Sequence, residues 1–229
     1  MPSEHKAYKG LAMEGIIATW YAKNTGRNLR RFRDAAQAVS ARAPKGGKVL
    51  EVAPGPGFLA LELAQRGYRV TGLDISRSFV RIARESAARA GASIDFQQGD
   101  AAHMPFEDAS FDFAVCMAAF KNFTDPVGAL DEIHRVLKPG GAAAILDLRR
   151  EAPLGAIEDE VRGMELSRVD AALTRWTFRF MLLKRAYSRV DLEQMANRSR
   201  FGSCQIVPGG VGFEMRLRKA GGGLEEPRA

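Results

Sequence analysis

Three carboxylates, Glu51, Asp74 and Asp100, each stand at the end of a short apolar run, and the first is followed by glycines in "EVAPGPGFLALELA" (residues 51–64). Without side chains, Gly55 and Gly57 allow a tight turn. They also let a ligand come close to a helix N-terminus, where free N–H groups point outward. By themselves, residues 55–60, Gly-Pro-Gly-Phe-Leu-Ala, also fit the G-x-G-x-x-A pattern of dinucleotide sites. The acids argue for another ligand. A carboxylate at Glu51, at the mouth of the turn, repels a pyrophosphate and attracts a cation. Asp74 is placed to accept from both hydroxyls of a ribose, and Asp100 from an exocyclic amino group such as that of adenine. A ligand carrying an amino group, a ribose, an adenine and no phosphate suits all three.

The elements that must hold these groups follow from the pattern. From Lys48, short β-branched runs alternate with helical ones: "KVLEV", "GFLALELAQRG", "YRVTGLD", "SRSFVRIARESAARAG", "SIDFQQGD". Such alternation calls for a parallel sheet with crossover helices. "FDFAVCMAAF" reads as a buried fourth strand. In the next helix Asp125 caps, Pro126 takes the first position, and Val127, Leu130, Ile133 and Leu137 repeat until the glycines stop it. "AAAILDLR" reads as a fifth strand, residues 155–200 as amphipathic helix, and "CQIVPGGVGFEMRLRK" as two strands joined at Pro-Gly-Gly. Residues 10–43 read as helical, with Met13, Ile16, Ile17 and Trp20 on one apolar face and Leu29, Phe32, Ala36 and Val39 on another.

S-Adenosylmethionine, with an ammonium and a sulfonium, is a ligand of the required kind. Residues 48 to about 147 resemble the class I S-adenosylmethionine-dependent methyltransferases, in their ubiquinone/menaquinone C-methyltransferase-like branch. The resemblance rests on "VLEVAPGPG", "VTGLDIS", "FQQGDAAHMPFEDASFDFAVC", "AAFKNFTDPVGAL" and "HRVLKPGGAAAILDL", five motifs in order. It implies cofactor contacts at Glu51, Ala53, Gly55 and Gly57, at the ribose acid Asp74 with Ile75 and Ser76, and at Asp100 and Ala101. The family usually has glycine where this chain has Ala53, a methyl that is tolerable if φ is negative there. The implied fold is α/β: a Rossmann-like, seven-stranded, mostly parallel sheet with helices on both faces and an antiparallel last strand. The implied divisions are an N-terminal helical lid at 1–45, the methyltransferase domain at 46–218 with an insertion at about 155–200 roofing the substrate pocket, and a flexible tail at 219–229.

Methyl transfer from a sulfonium needs nucleophile, methyl carbon and sulfur in line. Holding that geometry supplies roughly 7–11 kcal/mol, against about 10²- to 10⁴-fold in rate from a general base, so positioning should dominate. In this fold "CMAAFKNF" (116–123) faces the methyl group, which makes Met117 and Ala118 walls of the sulfonium site. Lys121 is expected to neutralise an anionic substrate or enolate, Asn122 to orient it, and Asp147 to be the base candidate, with capping or pairing to Arg149 as its structural alternative. Tyr21 is expected to close over the cofactor from the N-terminal helix. His134 is expected to be packed and hydrogen-bonded, Cys116 simply buried. The aromatic stretch with Leu173, Trp176, Phe178 and Phe180 is either roof or core, and Arg175, Arg179, Lys184 and Arg185 are candidates for a carboxylate or phosphate.

Composition sets the outer bounds. The chain has 229 residues, 46% of them hydrophobic and 27% charged, which suits one soluble globular domain. No apolar run approaches the roughly 20 residues a bilayer requires, nor does the N-terminus resemble a secretory signal. With only two cysteines no disulfide framework or metal cluster is spelled out, and a cytoplasmic setting is expected. The net charge of +7 is concentrated in residues 1–45, where nine Lys or Arg face three acids. It suits an anionic substrate, an anionic membrane surface, nucleic acid, or simply a solvated helix face. The expected partner is a small molecule rather than nucleic acid, because "CMAAFKNF" stands where amino-methylating nucleic-acid enzymes carry an Asn- or Asp-Pro-Pro-aromatic motif. A nucleic-acid methyltransferase and a non-catalytic S-adenosylmethionine-binding regulator are the alternatives, and a homodimer is left open.

Overall fold

In the computed structural model, which describes residues 8–9, 13–25, 29–164 and 167–221, with the side chains of 169 and 181 left aside, seven strands form one sheet. They are β1 (Lys48–Val52), β2 (Arg69–Asp74), β3 (Asp95–Gln98), β4 (Phe111–Met117), β5 (Leu137–Leu148), β6 (Gln205–Gly209) and β7 (Gly212–Arg218). Their spatial order is β3-β2-β1-β4-β5-β7-β6. The β1, β2, β3, β4 and β5 pairings are parallel, and β7 runs antiparallel to both β5 and β6. The order reverses between β1 and β4, and the crevice beyond the carboxyl ends of those strands is where open α/β sheets take their ligands.

Side chains alternate across each strand, and both faces are covered. Val49 joins α2 (Arg30–Ser40), α3 (Phe58–Gln65) and α4 (Arg77–Arg89) in one core with Phe32, Leu59, Leu63, Phe96 and Phe113. Leu50 and Val52 join α5 (Pro126–Val136) and α9 (Arg189–Arg198) in the other, with Phe120, Leu130, Ile133 and Leu192. Full burial of a side chain of this size contributes roughly 1.5–3 kcal/mol. Asp125 accepts from the Gly128 N–H at 2.9 Å and Pro126 opens α5.

Four local expectations are corrected. The helix expected over 10–43 is two helices, α1 (Gly15–Thr25) and α2, with 26–28 outside the described residues. The apolar face expected on α1 is not packed: Ile16 is 88% exposed and Trp20 66%, and Ala18 is the residue buried. The reason is that α1 is held by its end. The Gly15 N–H donates to Ser78 Oγ at 2.9 Å, Ser76 Oγ donates to the Met13 carbonyl at 2.6 Å, and Glu14 accepts from the N–H groups of Arg77 and Ser78. Next, Leu137 does not continue α5 but starts β5, and the register shifts between Phe111–Leu137 and Phe113–Ala142 around Gly140, whose φ is 78°. Last, the helical stretch expected over 155–200 is not one unit. Within it α6 (Leu154–Gly163), α7 (Arg168–Thr177), a π-helical turn (Phe178–Leu182) and a closing turn α8 (Leu183–Arg185) pack around Ile157, Val161, Phe178 and Leu183, whereas α9 belongs to the main core. Of the tail expected to be flexible, residues 222–229 lie outside the described residues.

Candidate active site

Glu51 lies in β1 opposite Gly72 of β2 and Val115 of β4, at the switch point, and is 2% exposed. Burial pushes its carboxyl up to about 8; a backbone N–H from Ala60 in the first turn of α3 works against that, and the Asp74 charge adds to it. Its Oε2 is buried and has no hydrogen-bond partner. A buried acceptor left unpaired costs about 1–3 kcal/mol, more if charged, so this atom marks a place where a donor is wanted.

Beyond β1 the chain turns through the glycine loop. Ala53 donates its N–H to the Leu73 carbonyl at 2.7 Å and has φ of 56°. The expectation that its methyl is tolerable required a negative φ. The left-handed conformation instead explains why glycine is the family's choice, and it costs an L-residue roughly 1–2 kcal/mol. Gly57 has φ of 82° and caps α3; a Cβ there would lie 3.0 Å from the Phe96 ring and 3.1 Å from Ala83, so the loop is pressed against the core behind it.

Asp74 ends β2, is 5% exposed, and ties the loop together. Its Oδ2 accepts from the Gly55 N–H and its Oδ1 from the Ser76 N–H, both at 2.9 Å. Burial raises its carboxyl to about 6, while those two N–H groups pull the other way. Ser76 caps α4 through a 3.1 Å bond from the Phe79 N–H, and Ile75 points outward, 39% exposed. Asp100 follows β3 and accepts from the Ala102 N–H at 2.9 Å through Oδ1; Oδ2 faces His103 Nδ1 at 3.6 Å. Ala101 between them packs against the second core.

Across the crevice, Met117 ends β4 half-buried, and Ala118, with φ of 60°, donates to the Leu146 carbonyl at 2.7 Å. Lys121 and Asp147 are brought together, which sequence reasoning did not foresee. The Lys121 ammonium lies 2.7 Å from Asp147 Oδ1 and donates to the Ala118 carbonyl at 2.9 Å, while the Lys121 N–H donates to Asp147 Oδ2 at 3.0 Å. Asp147 Oδ1 also accepts from the Leu148 N–H. Thus Asp147 pairs with Lys121, not Arg149, which donates to the Gly210 carbonyl. The charge expected to meet an anionic substrate is already met inside the protein, and the expected base has both oxygens engaged. Asn122 closes the turn, donating its N–H to the Ala119 carbonyl and accepting at its own carbonyl from the Lys9 N–H at 2.7 Å.

Tyr8 and Lys9 were missed, whereas Tyr187 belongs to the aromatic stretch read as roof or core. Tyr8 forms an isolated bridge with Phe123, and its phenol is raised by burial first and then by the neighbouring Tyr21, Asp74 and Asp147, against a lowering by Arg185. Tyr21 packs edge-on to Phe79 with centroids 5.7 Å apart. Lys9 Nζ donates to the Tyr187 hydroxyl at 3.3 Å, and Tyr187 meets Phe120 edge-on. Of the remaining candidates, His134 is packed against Phe201 but its Nδ1 has no partner, correcting the hydrogen-bonded expectation, and Cys116 is buried with its thiol pushed up. His103 is exposed.

Comparison with known proteins bears on this geometry. Residues 50–145 match the family model described as "Methyltransferase domain". A demethylmenaquinone methyltransferase of Thermus thermophilus is 39% identical over 124 residues, covering 53% of this chain and 56% of its own. A ubiquinone biosynthesis O-methyltransferase of Pseudomonas aeruginosa is 33% identical over 106 residues, covering 46% of each. The chain thus spans about half the length of the curated relatives it matches. A putative S-adenosyl-L-methionine-dependent methyltransferase structure from Methanococcus maripaludis superposes with a TM-score of 0.74 at 22% identity, covering 94% of this chain and 98% of that one, a likeness of fold.

Proposed function

We propose, from the match of residues 50–145 to the methyltransferase-domain family, that the chain moves a methyl group from S-adenosylmethionine to a small organic acceptor. The single observation that carries this reading is the unpaired, buried Oε2 of Glu51 at the switch point, above a loop of left-handed residues with no phosphate-cradling lysine. It suits an ammonium. The residues present fit the cofactor: Glu51 for the amino group, Asp74 through its remaining lone pairs for the ribose, Asp100 with Ala101 for the adenine, and Gly55 and Gly57 for close backbone approach. When bound, the sulfonium supplies an electrophilic methyl group whose transfer leaves a neutral thioether.

What the chain's own residues do is mainly hold and exclude. Asp74 fixes the glycine loop through Gly55. The Lys121 and Asp147 pair fixes the turn over Phe120–Asn122, and so the wall formed by Met117 and Ala118. Tyr21, packed on Phe79, and Tyr187, packed on Phe120, are the aromatic groups this reading sets beside the acceptor. In this reading residues 1–45 cover the opening, 46–218 form the transferase body, and α6 to α8 flank it. The quinones in the names of the relatives support an aromatic or quinone-type acceptor. Calorimetry with S-adenosylhomocysteine and NADH, followed by methyl transfer to a panel of hydroquinones, phenols and RNA, tests the reading. Binding of the first ligand alone and transfer to a ring acceptor are expected. NADH binding, or transfer only to RNA, overturns it.

A further inference from the structure

The segment 168–185 shows a pattern that methyl transfer does not use. Leu173, Trp176 and Phe180 are 61%, 52% and 44% exposed and recur at helical spacing on one side of α7 and the π-helical turn, while Phe178 and Leu182 face inward onto Ile157 and Val161. Trp176 and Phe180 touch, with centroids 5.8 Å apart. A contiguous outward aromatic stripe on a helix whose opposite side is already packed calls for a partner.

The charge around the stripe says which kind. Residues 168–185 contain Arg168, Arg175, Arg179, Lys184 and Arg185 against a single acid, Asp170. Arg179 and Lys184 lie over the Phe180 ring at 5.5 and 5.8 Å and, among the described residues, face no carboxylate; Arg175 reaches Glu158 at 3.4 Å. Trp, Phe and Leu on one side, flanked by cations on long stems, is the composition of a helix that lies in the plane of a bilayer interface, its apolar groups among the acyl chains and its cations at anionic headgroups. A second apolar face lies on α1, where Ile16 and Trp20 are exposed beside Lys23 and Arg81.

We propose that the stripe Leu173, Trp176 and Phe180, with Arg179 and Lys184, docks this chain onto an anionic lipid surface. The docking stands on the stripe and its charge, independently of the methyl-transfer reading. Resting on that reading, it would bring an apolar acceptor from the bilayer to the opening.

Flotation of the full chain with phosphatidylcholine vesicles, with and without phosphatidylglycerol, tests the proposal in the absence of cofactor. Binding to the phosphatidylglycerol vesicles is expected, with a loss of at least about tenfold in Arg179→Glu/Lys184→Glu and in Trp176→Ser/Phe180→Ser. These side chains are exposed, so thermal melting should show both variants folded. The chain has two tryptophans; in a Trp20→Phe background, the emission of Trp176 should shift to the blue on adding phosphatidylglycerol vesicles. Equal flotation of wild type and both variants overturns the proposal, as does unchanged Trp176 emission. So does self-association that buries Trp176 without lipid, or single-stranded RNA displacing the chain from the vesicles.

Discussion

The ammonium of Lys121 lies 2.7 Å from Oδ1 of Asp147, with the two side chains 11% and 1% exposed. The pair joins the turn after β4 to the end of β5, and removing one partner leaves the other buried and uncompensated. Lys121→Met and Asp147→Asn should each destabilise by about 3 kcal/mol in urea unfolding, and Lys121→Met/Asp147→Leu by less than the sum. If the single variants melt like wild type, the pair is not the strut of this wall.

Ala53, at φ of 56°, carries backbone strain that glycine would not. Ala53→Gly should stabilise by about 0.5–1 kcal/mol, the strain relieved less the extra freedom of the unfolded chain. Ala53→Val should destabilise, because a β-branched residue tolerates that conformation less. A lower melting temperature for Ala53→Gly would show that the methyl is packed to advantage.

These two positions mark where sequence reading stops. Strand and helix alternation from Lys48 onward was legible because each run is long enough to fix its period, and the strand-end places of Glu51, Asp74 and Asp100 followed from it, whereas the spatial order of the strands did not. The sign of φ at Ala53 was not, since it depends on a turn set by the Leu73 carbonyl, nor was the partner of Asp147, which comes from a turn 26 residues earlier. The exposure of α1 was hidden because periodicity reports an apolar face, not whether anything covers it. Tyr8 and Lys9 belong to a single bridge to Phe123 and the bond to Asn122, too short to leave any pattern.

Glu14 accepts the N–H groups of Arg77 and Ser78 at 2.9 and 3.0 Å, anchoring α1 to the start of α4. Glu14→Ala should cost about 0.5–2 kcal/mol, as for a lost cap. The loss should be local: amide exchange should quicken across residues 15–25 while the sheet stays protected. Unchanged exchange in α1 would mean that it is held elsewhere.

Stability should depend on pH through Glu51. Its carboxyl is raised to about 8 in the folded chain, so the unfolded chain loses that proton first, and the folded state holds the excess proton in between. Stability is therefore greatest below the ordinary carboxylate range and falls as pH rises towards about 8, by on the order of a few kcal/mol. Asp74, raised to about 6, adds a smaller fall lower in that window. Glu51→Gln should flatten the upper part of the profile in denaturant titrations at stepped pH. A wild-type profile already flat there would remove the burial argument.

The most direct measurement is calorimetric binding of S-adenosylhomocysteine at about pH 7 in buffers of different ionisation enthalpy. An ammonium arriving at Glu51 should draw the carboxylate into its charged form, so wild type should release close to one proton on binding. Glu51→Gln should release none and bind at least about tenfold more weakly, having lost a charge-assisted bond. Equal affinity and equal proton release in the two proteins would contradict a cation held at Glu51.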